Sequence, residues 1–367
     1  MPVFRPTANC IWNSFRNSGK RHILLTGGRK SGKTTLLASM FEHPLPGITT
    51  WAEPKRAVYL KENGTQNIAQ VGAFNDALPG TENKMVLCQD GFKTLGIPAL
   101  SRCNEAKGTW VSIDEIGYLE SGCEAYLDEI RELMNQKRLI AAVRRQELPY
   151  LRELCGRDDV FLVDLDAPYG KNGCVIMASG LGTRFGGNKL MADFQGEPLI
   201  CRILEATEGI FMKRVVVTRH EEVAALSRER GIDVILHELP HRSDTVRLGM
   251  ERMSDVESCM FCPGDQPLLR RESVAALALA AANRKEIIWR TAFNEVPGSP
   301  VVFPEWTFPE LMDLPEGKGG SVVIKKYPGH LRTVNVRDKY ELLDIDRPED
   351  LFMLHPSGAE CLTESQP

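Results

Sequence analysis

At 367 residues, with 45 Lys and Arg against 49 Asp and Glu for a formal net charge of −4, the chain is too long for one average domain and suits two, each able to bury its own core. The slight acidity excludes a basic footprint for nucleic acid or an anionic membrane surface, and no apolar run is long enough to span a bilayer, so the expected ligands are small molecules. With no basic-then-apolar leader, and with ten cysteines scattered singly apart from Cys259-Met-Phe-Cys262, the expected compartment is a reducing cytoplasm.

Residues 1 to 20 are polar and carry Pro2, Pro6 and Asn17-Ser-Gly19, which predicts a loosely held leader without chemistry. His22 to Thr26 is an apolar strand candidate, and Gly27-Gly-Arg-Lys-Ser-Gly-Lys-Thr34 follows it directly, matching G-x-x-x-x-G-K-[ST] in full. Thr35 to Phe41 then has the apolar spacing of a helix. Strand, loop and helix in that order are what the motif needs. Gly27 and Gly32 belong to a loop whose amides, with the helix N-terminus, bind phosphate; Lys33 reaches the β and γ phosphates of ATP or GTP, and Thr34 offers its hydroxyl to magnesium. Thr109 to Ile113 reads as another strand, ending in Asp114-Glu115. Asp114 suits a magnesium held through water, and Glu115 a group that orients or deprotonates an attacking water. Without the loop upstream, the same pair would read as a helix N-cap with acidic first-turn residues.

Taken with that loop, Asp114-Glu-Ile-Gly-Tyr-Leu-Glu120 resembles the small P-loop nucleoside-triphosphatase family over about residues 21 to 165. The resemblance implies binding and hydrolysis of a nucleoside triphosphate. It thins between Gly47 and Gly80, where the family is Arg- and Gly-rich and only Gly47-Ile-Thr-Thr50 and Arg56 are similar. Cys123 to Met134 predicts an amphipathic helix, and Leu139 to Val143 and Val160 to Val163 two more strands, the order of a parallel α/β sheet. Asp166-Ala-Pro-Tyr-Gly-Lys-Asn-Gly173 has the composition of a linker. The expected division is therefore a leader at 1–20, a first domain at 21–165, a linker at 166–173, a second domain at 174–355 and a frayed tail at 356–367.

Val175 to Ala178 reads as a buried strand that gives way to a loop kept bare by Gly180, Gly182, Gly186 and Gly187. Such a loop lays its N–H groups around phosphate oxygens, with Arg184 and Lys189 adding positive charge. Alternating helices (Pro198 to Glu208, Glu221 to Glu229) and strands (Arg214 to Thr218, Asp233 to Leu236) follow, predicting a second parallel, doubly wound sheet with its ligand at the strand carboxyl ends. Ser243 is the expected N-cap of a further helix. Ser258 to Cys262 suits a central strand, in which Cys259 and Cys262 are structural thiols because no second Cys or His pair follows at zinc spacing. Asp265, in Pro263-Gly-Asp-Gln-Pro267, offers a hard oxygen at a strand end, as magnesium on a triphosphate requires.

Gly180-Leu-Gly-Thr-Arg-Phe-Gly-Gly-Asn-Lys-Leu190, with Gly196-Glu-Pro-Leu-Ile200 and Gly264-Asp-Gln-Pro267, resembles the signature of the MobA-like nucleotidyltransferases, from about Cys174 to about Leu354. Ser179 stands where that family more often has Ala or Gly. The blocks Pro297 to Phe303, Gly317-Lys-Gly-Gly320 and Leu343-Asp-Ile-Asp-Arg-Pro-Glu-Asp350 agree with it. The resemblance implies a Rossmann-like, GT-A-like fold, so that the chain joins two doubly wound α/β domains. It also implies a nucleotide held by Ser179, Gly180, Leu181, Gly182, Thr183 and Ser243, charge neutralised by Arg184 and Lys189, and magnesium on Asp265 with Asp344 or Asp346; Asp346 would equally cap the helix starting near Pro348. Asn188-Lys189-Leu190 is similar to the cytidylyltransferase branch, which implies CTP and molybdopterin as substrates and a molybdoenzyme or insertion chaperone as partner. GTP, or a sugar or alditol phosphate acceptor, is the alternative within enzymes. A nucleotide-switched cofactor-binding or regulatory protein is the alternative outside them.

Overall fold

In the computed structural model, residues 2–78 and 84–353 are described; the expected tail at 356–367 lies outside them. Backbone contacts divide the chain into two units, residues 19–168 and residues 1–18 together with 169–367. The division falls between Pro168 and Tyr169, within the segment expected to be a linker.

The phosphate-loop unit, residues 19–168, is built on eight strands: β1 His22–Thr26, β2 Gly47–Glu53, β3 Ala57–Glu62, β4 Ile68–Phe74, β5 Met85–Leu87, β6 Trp110–Ile116, β7 Arg138–Val143 and β8 Val160–Asp164. They lie in the order β5-β4-β3-β2-β6-β7-β1-β8. From β2 to β8 the neighbours are parallel, and Ile23, Leu24, Leu25, Leu139, Ile140 and Ala141 are fully buried, as a sheet covered on both faces requires. The weakly patterned stretch after Gly47 forms an antiparallel extension, β2 to β5. Ala57–Glu62 leaves only Tyr59 and Lys61 partly exposed, while Trp51 and Ile68 on the neighbouring strands meet solvent.

The glycine-loop unit has a seven-stranded sheet of β9 Asn172–Ala178, β12 Lys213–Thr218, β13 Asp233–Leu236, β14 Ser258–Pro263, β15 Ile288–Phe293, β16 Val296–Pro304 and β17 Leu331–Asn335, ordered β13-β12-β9-β14-β16-β15-β17. A two-stranded ribbon of β10 Asp193–Phe194 and β11 Glu197–Pro198 stands apart. The four strands from β13 to β14 are parallel, as expected. The sheet as a whole is mixed, a correction to the all-parallel expectation: β16 follows β15 through the two-residue turn Asn294-Glu295 and so returns antiparallel between β14 and β15.

The loosely held leader is the second correction. Ala8–Arg16 is a helix whose N-cap Thr7 accepts the Cys10 N–H at 3.3 Å. Cys10, Ile11, Ser14 and Phe15 fall on one side and are buried against the Ala- and Leu-rich helix Arg271–Asn283. Ser14 Oγ donates to Ala276 O at 2.7 Å, and Cys10 Sγ to Glu272 O at 3.4 Å. Burying Ile11 and Phe15 contributes roughly 1.5–3 kcal/mol each, so this segment belongs to the core of the unit it joins.

Candidate active sites

In each unit the glycine loop and an acidic partner, Asp114 or Asp265, lie at or near the carboxyl ends of parallel strands. In the phosphate-loop unit the turn after β1 runs through Gly27 at φ 146° and Gly32 at φ 94°, conformations that side chains rarely adopt, and a helix begins at Lys33. Lys33 Nζ folds back onto the loop, donating to Gly27 O at 2.9 Å, Gly28 O at 2.8 Å and Ser31 Oγ at 3.3 Å. Burial lowers the Lys33 ammonium from its usual range, against the pull of Glu115 and Asp166. Thr34 Oγ1 donates to Asp114 Oδ1 at 3.0 Å, linking the loop to β6. Asp114 is buried, which raises its carboxyl above the usual range in spite of the Thr34 hydrogen bond. The pairing of β6 with β7 slips between Asp114 and Ile116, and Glu115 at that slip has φ 85°. Such a bulge turns a side chain out of the strand's alternation, and Glu115 meets Arg144 in an ion pair. Gly28 N–H donates to Asp166 at 2.7 Å, and Asp166 in turn pairs with Arg145 at 3.0 Å.

In the glycine-loop unit β9 and β14 are parallel neighbours, so the loop after Ala178 and the turn at Asp265 leave the sheet side by side. Gly264 N–H donates to Met177 O at 3.0 Å, and a Cβ on Gly264 would meet Ile200 at 3.0 Å. Gly182 has φ 61°, and a Cβ there would lie 2.1 Å from Gly187 O, so only glycine closes the loop. Lys189 is the centre. It is 8% exposed, and its Nζ lies 2.6 Å from Asp265 Oδ2, 3.2 Å from Asp346 Oδ1 and 2.5 Å from Ile345 O. Burial alone would lower this ammonium, but Asp265 and Asp346 outweigh it and hold it above the usual lysine range. Ile345 N–H donates to Asp265 O at 3.0 Å, Gln266 holds Asp344 at 2.9 Å, and Arg184 reaches Asp346 at 3.1 Å.

Around the glycine loop, Ser179 Oγ donates to Val217 O at 3.0 Å and lies 2.8 Å from His237 Nε2, while His220 Nε2 lies 2.9 Å from Gly180 O. Leu181 and Thr183 are exposed. Ser243 does not cap its helix: the helix starts at Arg242 with His241 as its N-cap, two residues earlier, and the Asp244 carboxylate accepts the His241 N–H at 3.1 Å. Ser243 Oγ accepts from Gly317 N–H at 3.2 Å instead. Asp346 is no cap either; Asp350 accepts the N–H groups of Asp346 and Arg347 at 2.9 and 2.8 Å, leaving the Asp346 carboxylate to Lys189 and Arg184. Cys259 and Cys262 are buried on β14, Cys262 lying 3.7 Å from Cys174, and burial raises both thiols far above their usual range. Sequence reasoning passed over His237, Arg144 and Arg145; two arginines directly after the apolar run of β7 were the available signal for the last pair.

Magnesium fits both places by donor chemistry. Asp265 and Asp346 already converge on one cation, the Lys189 ammonium, and Thr34 and Asp114 already touch. One or two carboxylates complete a magnesium site when phosphate oxygens supply the rest, although among the described residues no group of three or more His, Cys, Asp or Glu is arranged to hold a metal.

Two family models match parts of the chain. Residues 174–332 match the family described as MobA-like NTP transferase domain, and residues 56–168 the family described as NTPase, a span that begins after the phosphate loop. A 3-deoxy-manno-octulosonate cytidylyltransferase from Colwellia psychrerythraea is 32% identical over 103 residues, 27% of this chain and 37% of that protein. A probable molybdenum cofactor guanylyltransferase from Aquifex aeolicus is 26% identical over 104 residues, 28% of this chain and 50% of that one. The chain thus spans half or less of the length of these two curated relatives. Among solved structures, a nucleotidyl transferase from Methanothermobacter thermautotroptrophicus aligns with 52% of this chain and 99% of its own, at 18% identity and a TM-score of 0.44. A CMP:2-keto-3-deoxy-manno-octonic acid synthetase complexed with CTP aligns with 53% of this chain and 100% of its own, at 16% identity and a TM-score of 0.44.

Proposed function

From a chain that carries a MobA-like NTP transferase domain at residues 174–332 and an NTPase segment at residues 56–168, we propose a magnesium-dependent nucleotidyltransferase that moves CMP from CTP to molybdopterin, with an appended unit that binds and hydrolyses ATP or GTP. The observation that carries the transferase reading is the Lys189 ammonium, buried beside a glycine loop and shared by Asp265 and Asp346. An acceptor phosphate oxygen forms a bond to the α-phosphorus, the bond from that phosphorus to the α–β bridging oxygen breaks, and its electron pair leaves on pyrophosphate. The chain's work is positioning and neutralising charge. Amides of Gly180 to Gly187 cradle the triphosphate, Lys189 and Arg184 face the developing charge, and Ser179, Leu181, Thr183 and Ser243 lie beside the nucleotide. Magnesium on Asp265 and Asp346 would neutralise the triphosphate and release Lys189 toward phosphate.

In the other unit Lys33 and the loop amides hold the β and γ phosphates, Thr34 and Asp114 hold magnesium, and Glu115 takes a proton from the attacking water. A second reading keeps the cytidine nucleotide and replaces molybdopterin by a sugar acid or an alditol phosphate. The similarity to 3-deoxy-manno-octulosonate cytidylyltransferases favours it. A cytoplasmic place and a molybdoenzyme or insertion chaperone as recipient follow from the first reading alone. The test is a panel of CTP, GTP, ATP and UTP, each with and without molybdopterin, scored separately for pyrophosphate and orthophosphate. Pyrophosphate from CTP only when molybdopterin is present supports the proposal. Pyrophosphate only when a sugar acid or alditol phosphate replaces it selects the second reading, and none under any condition leaves a nucleotide-binding regulator.

A further inference from the structure

We infer that Arg144 contacts the terminal phosphate of a nucleotide in the phosphate-loop unit and stabilises its transfer to water, a proposal that rests on the triphosphatase reading of that unit. The topology brings it there. β7 lies between β1 and β6 and is parallel to both, so the residue after Val143 leaves the sheet at the same edge as the phosphate loop after Thr26 and the carboxylates Asp114 and Glu115. Asp166 accepts the Gly28 N–H and pairs with Arg145, and Glu115 pairs with Arg144, so both arginines stand at the edge that carries the loop of Lys33.

The path of the Arg144 side chain is built. It passes over Gly117, where a Cβ would stand 2.8 Å from Arg144 Cδ, and its guanidinium lies 5.8 Å from the centre of the Tyr118 ring. Gly117 is fastened on both sides: its N–H donates to the fully buried Glu120 at 2.7 Å, and its carbonyl accepts from the Tyr150 hydroxyl. Arg144 N–H donates to Ile116 O at 2.9 Å. A surface ion pair needs none of these supports.

The partner gives the second half of the argument. Arg144 pairs with Glu115, the carboxylate that the bulge in β6 turns out of the strand. An arginine held by a carboxylate is not available to phosphate. A terminal phosphate carries more negative charge than one carboxylate and matches the guanidinium fork. Its arrival draws Arg144 away from Glu115, so one exchange supplies the cation and leaves the Glu115 carboxylate open to the attacking water. The water oxygen then bonds to the γ-phosphorus, the bond from that phosphorus to the β–γ bridging oxygen breaks, the electron pair leaves on the nucleoside diphosphate, and the water's proton passes to Glu115. Arg145 is held by two carboxylates, Asp164 and Asp166, one of them fixed to the Gly28 N–H, whereas Arg144 has, among the described residues, the single carboxylate partner Glu115 to exchange.

The experiment uses the full chain with ATP and with GTP in the presence of magnesium, comparing the parent, Lys33→Ala, Arg144→Ala and Arg144→Lys by equilibrium nucleotide binding and by orthophosphate release. Expected for Arg144→Ala is nucleotide affinity within about threefold of the parent and a fall in kcat of about a thousandfold, the scale of an arginine acting on a transferring phosphate. Arg144→Lys should recover little, because an ammonium lacks the fork, whereas millimolar guanidinium should restore part of the Arg144→Ala rate. Arg144→Ala that hydrolyses within about threefold of the parent, while Lys33→Ala does not, overturns the proposal and leaves the triphosphatase reading standing. A parent that releases no orthophosphate from either nucleotide, or a Lys33→Ala variant that matches it, overturns that reading and the proposal with it.

Discussion

Two glycine-rich loops each end at a lysine, and the two lysines are held in opposite ways. Lys33 rests on neutral oxygens of its own loop, Gly27 O, Gly28 O and Ser31 Oγ, and burial lowers its ammonium. Lys189 rests on the carboxylates of Asp265 and Asp346, which hold its ammonium up. The first lysine wants an anion, and any phosphate that arrives improves its surroundings. The second is already neutralised, and phosphate competes for it with two carboxylates unless a divalent cation takes those carboxylates over. Under the proposed function, similar sequence punctuation gives one loop suited to holding phosphate without help from carboxylates and another whose phosphate binding is tied to metal.

The largest effect expected from this contrast is on hydrolysis. Lys33→Ala should lower orthophosphate release by about a thousandfold or more while leaving pyrophosphate release within about twofold, since each loss is confined to one phosphate site; separate assays of the two products check it. Next, Lys189→Ala and Asp265→Ala should each reduce nucleotidyl transfer by about a hundredfold, the scale of one preorganised contact to a transferring phosphate. Magnesium titration separates them: the Asp265 variant should need more metal for its remaining activity and the Lys189 variant should not. Equal metal requirements would remove Asp265 from the metal site and leave Asp344 as the candidate beside Asp346. Third, Gly182→Ala should weaken CTP binding by about tenfold, because its Cβ would stand 2.1 Å from Gly187 O and open the loop, with ATP binding at the first loop unchanged; calorimetric titration with each nucleotide reads this.

Much of this was legible in the sequence where the signal is local. His22–Thr26, Glu221–Glu229 and Asp233–Leu236 are found with the boundaries that periodicity predicts, and both glycine loops announce themselves within a dozen residues. What was illegible lies far apart in the chain. The helix Ala8–Arg16 presents a single turn of apolar residues whose partner, Glu272 to Ala276, comes 262 residues later, so polarity and Pro2 and Pro6 made it look like a leader. Lys189 meets Asp346 across 157 residues, and only their meeting separates a binding role for Asp346 from a capping one. The bulge at Glu115 leaves no mark on composition, and the strands β2 and β4 bury adjacent residues, Gly47 with Ile48 and Val71 with Gly72, so they show no period of two.

The smallest expected effect concerns pH and touches only the phosphate-loop unit. Burial pushes the Glu120 carboxyl up to about 7, so below that pH the folded chain keeps it protonated. Stability from this group is full below the unfolded carboxyl value near 4.5 and is lost as pH rises through about 7. Thermal unfolding followed from pH 4.5 to 8 should show the unit that holds Glu120 losing a few degrees of Tm across that range. Glu120→Gln should flatten the slope, and an unchanged slope in that variant would assign the pH dependence to another group.

The most direct measurement is the pair of products made by folded Lys33→Ala given CTP and molybdopterin for the transferase, ATP or GTP for the phosphate-loop unit, and magnesium. Two separate phosphate chemistries predict pyrophosphate at the parent's rate with orthophosphate lost. Loss of both products in that variant, or no pyrophosphate even from the parent, would contradict a transferase site that works through Lys189 and Asp265 alone.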